Sequence, residues 1–406
     1  MPDPITWYAL PKKVDDPRTI EEEIDAKILQ HNLDPSAHSQ SDEALYFHRI
    51  SQVLDHVNYS IYNIKLHPET RPIKAFVDAG GAAEFSDIQS AINYVHALGG
   101  GKIFVKEGVY YPKSDIILYS NIDIEGEDND TVIIDFEGSN YQMKAIGTNL
   151  LHRRNIHLKN IQVRRCNKEG DGAILFKYCD DISVENCKFY RQGYGRSYSV
   201  FDIFIDNCTQ VNIDDNYSNQ SKGFCYIINS VKVSVSNNFI TGNPNEGITG
   251  YNVDDLLVQG NFFQNVGAVA IDVDGSHYAR ITDNQIENAE TYGILVGDNT
   301  DTYGVIVSDN IIKLASGSEN GILVSRNSSD CIINSNYIEG GGEYGITLGD
   351  ADRCIISNNR INGVDNGIYI SSSADRTICL GNSLYNCDTK ITNNGTNTEL
   401  GHNITT

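Results

Sequence analysis

The chain has 406 residues, 40% of them hydrophobic and 21% charged, enough for a large folded core and too apolar for disorder. A net charge of −23 excludes duplex nucleic acid as a partner, because phosphate binding needs a basic surface. Apolar runs fall far short of the ~18–20 residues that span a bilayer, so no membrane partner is expected, and Met1–Lys13 has no apolar stretch of a secretory signal.

Residues 1–70 read as a polar, helical N-terminal neck or oligomerisation segment. Phe47, Ile50, Leu54, Val57, Ile61 and Ile64 follow a 3-4 spacing, which is a heptad seam. Such a seam either lies on the main domain as an amphipathic helix or joins several chains, a homotrimer among the outcomes. The preceding His31-Asn-Leu-Asp-Pro-Ser-Ala-His38 resembles a short motif of tail proteins of bacterial viruses.

Residues 71–150 read as the opening segment and cap of a larger domain. Ala75-Phe-Val-Asp-Ala-Gly-Gly81 predicts a strand. Ile88, Ile92 and Val95 predict an amphipathic helix over Phe85–Leu98, and Gly99-Gly-Gly-Lys-Ile-Phe-Val105 predicts a helix stop followed by a strand. The glycines follow the helix rather than open it, so they are no dinucleotide fingerprint. This stretch resembles the start of the pectate-lyase-like right-handed β-helix superfamily, which includes viral tailspikes, polysaccharide lyases and alginate C5-epimerases. The resemblance implies action on polysaccharides and an extracellular or virion-associated setting.

Residues 151–406 repeat. Asn160, Asn186, Asn216, Asn238, Asn261, Asn284, Asn310, Asn336, Asn359 and Asn382 mark the units at intervals of 22 to 30 residues. Gly-Ile strands lie upstream at Gly293, Gly321, Gly345 and Gly367. That period, with short strands and Asn/Gly turns, predicts an all-β solenoid: a right-handed parallel β-helix of roughly ten or more coils. Asn suits the turns because it tolerates positive φ and bonds local backbone, and stacked Asn can also bond one another along the axis. The nine Cys form no C-x-x-C pair and read as buried thiols, with Cys331 and Cys354 stacked inside.

Strand side chains alternate in and out. With Ile294 and Val296 inward, two outward columns follow: Leu175, Phe204, Tyr226, Thr249, Asp272, Leu295, and Lys177, Asp206, Ile228, Tyr251, Asp274, Gly297. Tyr226, Tyr251, Asp272 and Asp274, with His277 just beyond, are the candidate catalytic residues. Between Leu150 and Tyr198 stand ten basic and five acidic side chains, and there Tyr190, Arg191, Tyr194, Arg196 and Tyr198 interleave rings with guanidinium groups. Together with Lys177 and Asp206 they are candidate contacts for an anionic polysaccharide, since rings stack on sugars and Arg forks bind carboxylates.

Three functions compete. Uronate chemistry, as lyase or C5-epimerase, would use Tyr226, Tyr251 or His277 as base and acid, with basic groups neutralising the sugar carboxylate. Glycoside hydrolysis would use Asp272 and Asp274, two apart on one strand at ~6.6 Å. A non-catalytic viral or surface adhesin would only bind. The Asp-Pro-His-Glu motif of alginate epimerases is absent, so that family's catalytic residues do not carry over. No cofactor is required and no metal ligand is assigned. Asp272-Val-Asp274-Gly275 is a fragment of a calcium loop, which admits Ca2+.

Overall fold

A computed structural model describes residues 71–193, 200–298 and 300–406. The neck, its seam and any trimer made through it lie outside the described residues, as do Tyr194, Arg196 and Tyr198.

From Ile73 onward the chain winds as a solenoid of about 13 turns, with three long parallel sheets as its walls. Face I has 14 strands, face II has 13 and face III has 12. One full coil shows the order: Gly172–Lys177 lies on face III, Cys179–Glu185 on face I and Lys188–Tyr190 on face II. A small three-stranded sheet joins the turns at Thr302–Tyr303, Ser328–Ser329 and Ala351–Asp352. The coils start at Ile73, directly in the opening segment.

One helix, Ile88–Ala97, caps the first coils among the described residues. Asp87 begins it by accepting a hydrogen bond from the Ser90 N–H, which satisfies one of the helix's orphan donors. Ile88, Ala91, Ile92 and Val95 are buried, covering apolar rungs that would otherwise face water. Gly99, in the left-handed region at φ 81°, ends it as expected.

Inside, each face lays down a row of branched side chains such as Ile182, Val211, Val233 and Leu256, all at most 3% exposed. Nine Cys are free and buried, Cys331 and Cys354 among them. Burial raises the Cys166 and Cys187 thiols to about 12.

The Asn signal is real, and of its two expected causes the axial stacking holds from Asn216 onward while the positive φ does not. From Asn216 to Asn382 the anchors are buried, and the positive φ belongs to the residue before each: Asp215, Asn237, Gly260, Asp283, Asp309, Ser335, Asn358 and Gly381. Each anchor's Nδ2 donates to the Oδ1 of the next, for example Asn261 to Asn284 at 3.0 Å and Asn284 to Asn310 at 3.0 Å. The same Nδ2 atoms reach a carbonyl of the previous coil, as Asn284 does at Val258 O. The ladder continues to Asn403, which the repeat count omitted. Asn160 and Asn186 are one position early. They carry positive φ themselves, and Cys187 takes the ladder place, its N–H donating to Asn216 Oδ1.

Candidate active site

Face III bears the candidate site. Its pairing places Leu175, Phe204, Tyr226, Thr249, Asp272 and Leu295 in one row. Lys177, Asp206, Ile228, Tyr251 and Asp274 form the other. The alternation read from the repeats therefore holds, and rungs ~4.8 Å apart bring Tyr226, Tyr251, Asp272 and Asp274 together.

Sequence alone supplies the row but not its covering. Tyr226 rests against Phe201 and Phe204, with ring centroids at 5.1 and 5.2 Å. Asp272 sits between the buried Thr249 and Leu295. Its Oδ1 is buried and has no hydrogen-bond partner. Burial first, then the negative charges of Glu246, Asp274 and Asp298, push its carboxyl up to about 7. Burial first, then Glu246, Asp272, Tyr251 and Asp274, also raise the Tyr226 phenol. The charged groups acting on both are thus carboxylates.

Two of these were missed in the sequence. Glu246 ends the turn before the strand Ile248–Tyr251, and its Oε2 accepts from Thr249 Oγ1 at 3.1 Å, one rung from Asp272. It occupies the position before Gly-Ile of the repeat, where Tyr292, Asn320, Tyr344 and Asn366 stand in later coils. That position is the signal that would have revealed it. Asp298 lies just past the strand Tyr292–Val296.

Asp274 has a different environment from Asp272. It is 5% exposed, and its Oδ1 accepts from the Asp298 N–H, the Thr300 N–H and Thr300 Oγ1 at 3.0–3.2 Å. Those bonds tie Asp298 and Thr300 to the face.

His277 does not join the group. The chain turns at Gly275, φ 59°, and delivers His277 to the rows of face I. There its Nδ1 lies 2.8 Å from Asp254 Oδ1 and its ring stacks on Tyr303 at 4.0 Å. Lys177 is ion-paired with Asp206 at 2.5 Å, so these two occupy each other. Tyr190 and Arg191 lie on and just after a face II strand. The Tyr190 ring packs against Tyr217 and under the Arg164 guanidinium, and Arg191 Nε donates to Gln220 Oε1. Among the described residues no group of three or more His, Cys, Asp or Glu side chains is arranged to hold a metal ion.

The fold is shared with several solved structures. The mannuronan C-5 epimerase AlgE6 A-module of Azotobacter vinelandii is 14% identical, with TM-score 0.61 over 79% of this chain and 94% of that one. The surface protein and adhesin PfbA of Streptococcus pneumoniae is 17% identical, with TM-score 0.55 over 77% and 95%. The catalytic domain of a GH87 alpha-1,3-glucanase, in complex with nigerose, is 11% identical, with TM-score 0.61 over 82% and 68%. At these identities the likeness concerns the fold. Among curated proteins none matches the sequence. The model of the family described as right handed beta helix region matches residues 172–335 and 269–406, more than half of the chain. Continuous three-sheet winding and this match together make the chain a member of the right-handed β-helix family.

Proposed function

We propose that the protein hydrolyses glycosidic bonds of a polysaccharide laid along face III, with Asp272 as general acid and Glu246 as the second carboxyl group. The observation that carries this reading is the Asp272 carboxyl, pushed up to about 7 beside other carboxylates and with one oxygen unpartnered. Two neighbouring carboxyl groups with separated protonation are what glycoside cleavage needs: one delivers a proton to the leaving oxygen, the other acts on water or on the sugar carbon. Asp274, bonded to Asp298 and Thr300, adds a further carboxyl group beside the sugar ring, where positive charge develops. Tyr226 and Tyr251 supply a ring and hydroxyls for binding the sugar. The glucanase among the similar folds acts in the same class of chemistry. A polysaccharide substrate agrees with a place outside the cell or on a virion, and the seam at 43–66 would join copies there.

A second reading, proton abstraction from a uronate by Tyr251 with Tyr226 as partner, is favoured by the adjacency of the two phenols and by the epimerase among the similar folds. It ranks lower, because a carboxylated sugar would meet Glu246, Asp272, Asp274 and Asp298, and because Tyr226 is pushed toward keeping its proton. Incubation with α-1,3-glucan, a fructan, alginate and pectate tests both. New reducing ends from a neutral polymer, lost in Asp272→Asn and Glu246→Gln, support hydrolysis. Unsaturated uronate absorbance or an epimerised NMR spectrum transfers the function to the second reading. Tight binding with no turnover of any polymer leaves an adhesin.

A further inference from the structure

Face I carries a separate polar cleft. Its ladder pairs Lys102 with Asp123, Asp123 with His157, His157 with Ser183 and Ser183 with Asn212, so these side chains form one outward row. A cavity of about 300 Å3 opens over Asp123, His157 and Ser183. A second, of about 420 Å3, shares His157 and Ser183 and continues past Asn212.

Asp123 is only 3% exposed. Its Oδ1 accepts from the Arg71 guanidinium at 2.8 Å, while its Oδ2 is buried with no hydrogen-bond partner. An unmet buried carboxyl oxygen costs stability until something supplies its bond. Burial pushes this carboxyl up to about 7 against the pull of Arg71 and Lys102. The needed partner must therefore serve a carboxylate or a carboxylic acid, and a hydroxyl does both. His157 Nδ1 is 2.9 Å from Ser183 Oγ, and burial with Arg71 nearby lowers the imidazole to about 4, so the ring is neutral. The row is not a nucleophilic triad, because Asp123 makes no hydrogen bond to His157 that would orient it.

Three of the cations around the cleft are matched already: Lys102 meets Glu125 at 2.7 Å, Lys159 meets Glu185 at 3.9 Å, and Arg71 meets Asp123. The fourth, Lys232, lies at the far end of the second cavity, which Asp181 also lines. Over Asp123 and His157 an anionic ligand would have to break one of the pairs, while a neutral one leaves them intact. The two cavities follow the solenoid axis across several rungs of ~4.8 Å, which asks for an elongated ligand. We propose that this cleft binds a neutral oligosaccharide, whose hydroxyls meet Asp123 Oδ2, His157 and Ser183. The inference stands apart from the chemistry of face III.

Isothermal titration of the full chain carrying Asp272→Asn tests it, with nigerotetraose, maltotetraose, cellotetraose and trimannuronate as probes. At least one neutral probe should bind more tightly than trimannuronate. His157→Ala should weaken that binding at least tenfold, and so should Asn212→Trp, which obstructs the groove from a less buried position and guards against a folding defect in the first variant. Circular dichroism melts should be unchanged in Asn212→Trp. Failure of every neutral probe to bind at millimolar concentration, a preference for trimannuronate, or binding that survives both substitutions would overturn the proposal.

Discussion

Asp272→Asn should separate stability from activity in a pH-dependent way. In the unfolded chain the Asp272 carboxyl titrates near its ordinary value of 3.8, and in the folded protein near 7. A raised acid contributes its full stability below the unfolded value and loses it as pH rises through the folded value. At ~1.4 kcal/mol per unit, the difference of about three units amounts to roughly 4 kcal/mol lost by pH 8. Asn does not titrate, so the variant escapes that loss. Asp123, also pushed up to about 7, is present in both proteins and cancels in the comparison. Urea unfolding should therefore show the variant gaining on the parent by several kcal/mol between pH 4 and pH 8. Hydrolysis should fall by about 10²–10⁴-fold at every pH, as expected for loss of a general acid. A stability difference that is flat with pH would refute the burial argument, and an active Asp272→Asn enzyme would refute the role.

Tyr251→Phe distinguishes the two chemistries: a loss of about tenfold or less in kcat fits a sugar-binding phenol, whereas ~10²–10⁴-fold fits a proton-transferring one. Asn284→Ala should cost about 2–5 kcal/mol in urea unfolding, because it strands the Asn261 donors and Val258 O. Asn403→Ala, at the last rung, should cost less. A thiol reagent should label few of the nine buried Cys in the native protein and all of them in denaturant, and rapid native labelling would contradict their burial.

The solenoid was legible because its signals repeat: Gly-Ile returns in several coils, Asn in nearly all and the in-out alternation in each, so one register error is corrected by its neighbours. The same redundancy aligned Tyr226, Tyr251, Asp272 and Asp274. Asp298 was not legible as a site residue because it stands in a turn, where no period predicts direction, and Glu246 was legible only as a departure from the residues that precede Gly-Ile in later coils. His277 was misplaced for the same reason, since strand alternation stops at Gly275 and the chain there passes to another face. The Asn anchors show a subtler limit. Periodicity located them, but whether the Asn or its predecessor takes the left-handed backbone is a matter of which one is buried, and Asp215 or Ser335 serves that position as readily as Gly260.

The Asn ladder also has a mechanical consequence. Its bonds run along the solenoid axis and join each coil only to the next, so tension applied to the two ends loads them in series. A coil peeled from the end frees some 23 residues, which extend to ~80 Å at ~3.4 Å each. Pulled from its C-terminus, the protein should pay out in regular steps of that size, with the shallow polar coils near Thr389–Thr405 yielding first and the carboxylates of face III keeping their arrangement until the coils holding them are reached.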